Sequence, residues 1–253
     1  MSAVIVGLIA FGLILASIAV GLTMRHWVPE AHISGDSKEV IRLATALIGT
    51  MAAVVLALLF ASTRTSFEAT NSNVGRMTTS VIELDHMLRE YGPEGEALRK
   101  ALRQDIVAIV ASIWQDDVTV QQRADANAPG AQVRVLTMLR QMTPANPLQA
   151  AVQARALSVS GDLEQTRLSL ISQPTDSISK PFVTVLVLWL CFIFASFSMS
   201  AKANTTLITV LFVCAFSASS AIYLILELGQ PFDGLMQIPN SALRHALPPL
   251  SGT

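Results

Sequence analysis

The sequence predicts an all-α, polytopic membrane protein with four transmembrane helices and a helical soluble domain inserted between the second and third. Three observations carry this prediction. Of 253 residues, 52% are hydrophobic and only 14% charged, with a mean hydropathy of +0.52; a soluble domain carries about 25% charged residues. Four apolar stretches of membrane-crossing length stand in two pairs, with charge only at their ends. Between the pairs, apolar residues recur at helical spacing, and no strand-like alternation competes with them. The predicted segments are 1–63 (first and second spans), 64–180 (helical soluble domain), 181–228 (third and fourth spans) and 229–253 (a polar, proline-containing tail).

The first span runs from Ala3 to Met24, long enough for a hydrocarbon core of about 30 Å. No Lys or Arg precedes it and it is long for a secretory signal, so a retained helix is the better reading. Gly7, Gly12, Ala16, Ala19 and Gly21 suit it to close packing against other helices. The connection that follows places Trp27 where an interfacial anchor belongs. It also holds His26, Glu30 and His32. Nothing fixes these three in ligand geometry, so no metal is expected, and His32 stands only as a pH-sensitive loop candidate because histidine titrates near neutrality.

The second span, Leu43 to Ala61, runs on as a polar helix with no Gly-Pro punctuation until Gly92-Pro93. Thr45, Gly49, Ala53, Ala57 and Ala61 form a small-residue seam in its membrane half. Beyond it, Phe67, Val74, Val81 and Leu88 alternate with Thr70, Met77, Leu84 and Tyr91 in a heptad-like pattern suited to helix pairing. Between the two codes lies a collar of hydroxyl and amide side chains, Ser62-Thr63-Arg64-Thr65-Ser66 and Thr70-Asn71-Ser72-Asn73.

Pro93 fits the start of the next helix, whose apolar face is Leu98, Leu102, Ile106, Ile109 and Ile113, with Trp114 at its end. It forms an antiparallel hairpin with the preceding helix. Residues 116–130 read as a loop, Val133 to Met142 as a short helix, and Pro147 starts a longer one that stops before Pro174. The third span is Phe182 to Met199 and the fourth Thr205 to Leu226, joined by a tight turn. Cys191 and Cys214 lie in these apolar segments and read as small packing residues, with no disulfide or zinc site implied.

Four spans put both termini and the helical domain on one side. Near the spans, that side offers Arg64, Arg76, Arg167, Lys180 and Arg244, against Arg25, Lys38, Arg42 and Lys202 on the other. The excess of basic residues favours the cytoplasm by a narrow margin.

Several separated stretches carry a family resemblance. Ser66-Phe67-Glu68-Ala69 with Asn73-Val74, Leu84-Asp85 with Tyr91-Gly92-Pro93-Glu94, then Arg99, Leu102 and Ile113-Trp114, and finally Glu227 to Gly234 with Leu243-Arg244 resemble a bacterial family of four-span membrane proteins labelled bestrophin-like. The resemblance covers nearly the whole chain. It implies a distant likeness to bestrophins, oligomeric anion channels with four spans, cytoplasmic termini and a pore lined by the second span. It adds weight to a bacterial inner-membrane location with a cytoplasmic domain. No acidic calcium clasp matches, so calcium gating is not implied. Where bestrophins narrow the pore with bulky apolar groups, the seam here is Gly and Ala; Leu56, Leu59 and Phe60 occupy another face.

The residue types agree with that inventory. Spans without interior charge hold no proton-relay acid. There is no phosphate-cradling glycine loop and no nucleophile with a base, so catalysis is not expected. A net charge of −1, and 12 basic against 13 acidic residues in 64–180, argue against nucleic acid. An anion conductor needs only hydroxyls, amides, helix ends and apolar constrictions. The first reading is therefore a homo-oligomeric anion pore in the lipid bilayer. Its candidate lining is Thr45, Gly49, Ala53, Leu56, Ala57 and Phe60, with Ser62, Arg64, Ser66 and Asn73 at the vestibule. It requires no cofactor, and its partners are lipid, further copies of the chain and small anions. The alternative is a non-conducting scaffold or sensor whose helical domain binds a cytoplasmic partner. In both, Asp233 reads as a turn former, Trp114 and Tyr91 as packing anchors, and Arg99 and Arg167 as partners for acids of the domain.

Overall fold

A computed structural model describes residues 3–27, 35–114, 134–172, 180–200 and 204–247. Eight helices account for most of them: α1 (Ala3–Trp27), α2 (Gly35–Tyr91), α3 (Gly95–Ile113), α4 (Arg134–Gln141), α5 (Pro147–Ser172), α6 (Lys180–Ser200), α7 (Thr205–Leu228) and α8 (Ser241–Arg244). There is no strand among the described residues. The contacts divide the chain into two compact units, one of Met1–Ser66 with Asp176–Gln230, the other of Phe67–Thr175 with Pro231–Thr253.

Among the described residues, the first unit holds four helices long and apolar enough to cross a membrane, α1, α6, α7 and the first part of α2. α1 packs chiefly on α6 and then on α7. Its inner stripe is Ala3, Gly7, Ala10, Ile14, Ile18 and Gly21, a three-and-four spacing that keeps one face inward. The glycines at its two ends allow close approach. A Cβ at Gly7 would stand 3.1 Å from Tyr223 Cβ, and one at Gly21 would collide with Ser198 Oγ and Ala195 O. Gly12, Ala16 and Ala19 point outward, so only part of the small-residue set serves packing within the chain. Hydroxyls in these helices turn back on the backbone: Ser17 donates to Ile14 O at 2.7 Å and Ser196 to Phe192 O at 2.8 Å. Where no water competes, such bonds satisfy a polar group without a second helix.

Glu227 stands near the C-terminal end of α7. It is buried and takes a hydrogen bond from Tyr223, one turn earlier on the same face of α7. Spacing of four residues makes this pairing available.

The second unit is built on the latter part of α2. Val74, Met77, Val81, Leu84 and Leu88 enter one core with Leu98, Leu102, Ile106 and Ile109 of α3, Val135 and Leu139 of α4, and Ala156, Val159, Leu163 and Leu170 of α5. Phe67 packs against this core, and Thr70 and Tyr91 are buried. The heptad-like pattern of α2 is thus consumed inside the chain.

The reversal from α2 to α3 is a four-residue turn. Gly92 has φ +108°, a left-handed conformation that a residue with a Cβ adopts only with strain. Gly95 N–H donates to Gly92 O at 2.9 Å, and a Cβ at Gly95 would run into the Leu88 carbonyl. Helix α3 starts two residues after Pro93, because Pro93 and Glu94 form the turn.

α5 opens on a reciprocal cap at Asn146 and Gln149, shifted by one residue from a capping box. Asn146 Oδ1 accepts from Gln149 N–H at 2.7 Å while Gln149 Oε1 accepts from Ala145 N–H at 2.8 Å, so two end donors are satisfied reciprocally. The Gln149 amide then donates to Tyr91 O at 3.1 Å, and Gln153 donates to the Leu139 and Met142 carbonyls at the end of α4. Two glutamines therefore close the ends of two other helices.

The segment 229–253, set apart as a tail by its composition, supplies part of this core. Ile238 and Leu243 are buried in it. Trp114 Nε1–H donates to Ile238 O at 2.7 Å, and its ring meets Phe232 edge-on at 5.3 Å. Asp233 Oδ1 accepts from Gly234 N–H at 2.9 Å, and Gly234 has φ +90°, which makes the Pro-Phe-Asp-Gly turn.

Candidate functional site

The uncharged apolar part of α2 is where sequence and structure together put the functional question. Its buried positions are few. Ala52 joins Ala10, Leu186, Val187 and Ile222 in a small core, and Leu56 and Leu59 pack beside it. Thr45 and Thr63 are also buried, their hydroxyls donating to Ile41 O at 2.8 Å and Leu59 O at 2.7 Å. These positions follow three-and-four spacing and define a single inward face.

The seam Thr45, Gly49, Ala53, Ala57, Ala61 does not stay on that face. An α-helix turns about 100° per residue, so a strict four-residue period advances about 40° at each step. Thr45 is buried and Gly49 half-buried, whereas Ala53, Ala57 and Ala61 are exposed. No neighbour lies within 4 Å of a Cβ built at Gly49. Phe60 is 46% exposed, Leu56 half-buried.

The collar divides likewise. Ser62, Arg64, Thr65 and Ser66 are exposed, Thr63 and Thr70 buried, and Asn73 half-buried. Thr65 donates to Ala61 O at 2.9 Å, while its outward neighbours present a hydroxyl-rich surface. By the same geometry Ala53, Ala57, Phe60 and Arg64 are exposed on one flank of α2 and Ser62 and Ser66 on the opposite flank, while Thr45 and Leu56 point inward. His32 lies outside the described residues. Among the described residues, no three His, Cys, Asp or Glu come together in a way that would hold a metal ion.

In the second unit, Arg99 forms a paired salt bridge that sequence reading anticipated only as some acid. Its Nε donates to Asp85 Oδ1 at 2.9 Å and its Nη2 to Asp85 Oδ2 at 3.1 Å, with Nη1 on Glu96 at 3.0 Å. The hydrogen bond to Asp85 outweighs the opposing effect of burial and raises the Arg99 guanidinium above its ordinary value. The stability it brings is fully present below that ordinary value and is lost only in strong alkali.

A Bestrophin-like domain matches the chain over residues 11–243. The chain belongs to the Bestrophin-like family. Its fold is also similar to a crystal structure of a bacterial bestrophin homologue from Klebsiella pneumoniae, a tyrosine-to-alanine mutant, with a TM-score of 0.70 and 12% identity over 94% of this chain and 95% of that one. At that identity the likeness is one of fold. No curated protein matches the chain.

In this bestrophin-like chain, the stretches that carry the family resemblance fall at fold-making positions. Asp85 and Arg99 form the buried pair, Gly92 makes the reversal, and Trp114 anchors the segment holding Phe232, Ile238 and Leu243. None of these stands on the apolar part of α2. Asp85, Arg99, Gly92 and Trp114 thus hold the second unit together.

Proposed function

We propose that this bestrophin-like protein is a homo-oligomeric anion conductor of the bacterial inner membrane, with α2 of each subunit facing a shared axis. The observation that carries this reading is the apolar part of α2, which α1, α6 and α7 cover on one face only. Gly49, Ala53, Ala57 and Phe60 would face the pathway, and Ser62, Arg64, Ser66 and Asn73 a hydrated vestibule. An uncharged lining passes anions by offering hydroxyl donors and dewettable apolar walls. A ring of Arg64 side chains raises the local anion concentration. Both termini and the helical domain lie on the cytoplasmic side in this reading, and no residue acts catalytically.

The scaffold alternative drew on the heptad-like pattern of α2 as a rod that pairs within or between chains. That pattern is occupied by α3, α4 and α5 of the same chain, so the rod pairs within the chain, which both readings accommodate.

The test is anion efflux from liposomes holding the purified protein. The expected result is chloride and nitrate release that falls several-fold in Arg64→Gln. No release at any voltage or pH would contradict conduction.

A further inference from the structure

A small cavity in the second unit, among α3, α4 and α5, plays no part in the conduction reading. Its volume is about 60 Å³, where a single water needs about 10–15 Å³. Leu84, Ile109 and Leu163 supply apolar wall, and Asp105, Ser160, Glu164 and Arg167 its polar groups. The Arg167 side chain is only 3% exposed, and its counter-charge is Glu164 Oε2, 3.6 Å from Nη1. That is beyond hydrogen-bond length, and the buried Arg167 Nε has no partner. Ser160 Oγ, two turns earlier on α5, is likewise buried without a partner. Side chains on a helix lean toward its N-terminus, so Arg167 reaches back along α5 toward Ser160.

A guanidinium does not lose its proton in a protein. Its burial is relieved by a counter-charge with good hydrogen bonds, or not at all. Glu164 meets this poorly, since its side chain is 35% exposed and keeps part of its hydration. Asp105 has an interaction of its own. Water in the cavity hydrogen-bonds but cannot neutralise the charge. The Arg167 Nε–H can only donate and the Ser160 hydroxyl is free to donate, so an acceptor carrying negative charge would serve both. The two nearby carboxylates and the small volume disfavour a multivalent or bulky one.

We propose that this cavity binds one small monovalent anion, of the size of chloride or bromide, between the Arg167 guanidinium and the Ser160 hydroxyl, with Glu164 as a counter-ion that the anion displaces. The site is separate from the apolar helices and holds whether or not they conduct.

The test uses the full-length protein in detergent, with bromide replacing gluconate at constant ionic strength and thermal unfolding as the readout. A ligand that binds only the folded state raises the midpoint in a saturable way. Wild type is expected to show saturation, Ser160→Ala a weaker response, and Arg167→Met none. Glu164→Gln, which removes the competing carboxylate, is expected to saturate at several-fold lower bromide. Unchanged saturation in Arg167→Met would overturn the site, as would a non-saturating rise shared by all variants, which is a general salt effect. Should Arg167→Met fail to fold, a half-saturation in Glu164→Gln equal to wild type overturns it equally. Liposomes that release no anion while bromide binding persists count against conduction and leave this site standing.

Discussion

Arg99 and Arg155 show how differently two ion pairs of one unit should respond to mutation. The Arg99 and Asp85 side chains are 10% and 6% exposed, so losing one leaves the other charged and buried. Arg99→Met is expected to destabilise the protein by about 3–5 kcal/mol. The double variant Arg99→Met with Asp85→Leu should recover much of that loss, because no orphan charge remains. Arg155 and Glu83 pair at 2.8 Å but are 61% and 39% exposed, and Arg155→Ala should cost at most about 1 kcal/mol. Denaturant unfolding in detergent checks both, and equal losses would contradict the assignment. The sequence showed that Arg99 had acids within reach, but it could not select Asp85, fourteen positions away, because the choice depends on how α2 and α3 align across the Gly92 reversal. Arg167 teaches the same lesson. Sequence pattern paired it with an acid of the domain, and the fold supplies Glu164 at 3.6 Å, but beside a cavity that no spacing rule reveals.

Helices were the most legible elements, because their signals are local. The Gly92-Pro93 stop, Pro147 at the start of α5 and the apolar periodicity of α3 all act within a few residues. Which small residues sit at a helix contact was less legible, since a stripe of glycine and alanine says only that approach is possible. In α1 the two kinds separate cleanly. Gly21→Ala would drive a Cβ into Ser198 and the Ala195 backbone, with an expected cost of about 1–3 kcal/mol, whereas Gly12→Ala meets nothing within 4 Å and should stay within about 0.5 kcal/mol. Thermal unfolding in detergent distinguishes them. Residues 229–253 were the least legible, because their polar composition hides Phe232, Ile238 and Leu243, each of which matters only once Trp114 is in place. Trp114→Phe keeps the ring but loses the 2.7 Å bond to Ile238 O. It should cost about 1–3 kcal/mol and speed proteolysis within 231–247 before the rest of the chain is cut. Simultaneous cleavage elsewhere would count against an anchoring role.

For the whole molecule, the residues that hold the fold together and those of the proposed pathway are different. The second unit is held by a buried ion pair, a glycine reversal and a tryptophan anchor, all within the stretches that carry the family resemblance. The proposed pathway uses exposed small and hydroxyl side chains of α2, and any number of sequences can provide such a surface. This is why the sequence identifies the family far more sharply than it identifies an ion path. Subunit arrangement lies outside any single chain's pattern, and the four-residue seam illustrates the difficulty. It reads as one contact face, yet helical geometry sends Ala53, Ala57 and Ala61 away from the face that holds Ala52. The most direct measurement places single cysteines at residues 43–73 of a Cys191→Ser, Cys214→Ser background and applies a membrane-impermeant thiol reagent while anion current is recorded. Conduction along α2 predicts block at a helically periodic subset of the exposed positions, including Ala53, Ala57 and Phe60, with Ala52 protected. Current unaffected at every position, or block at Ala52 with Ala53 and Ala57 silent, would contradict it.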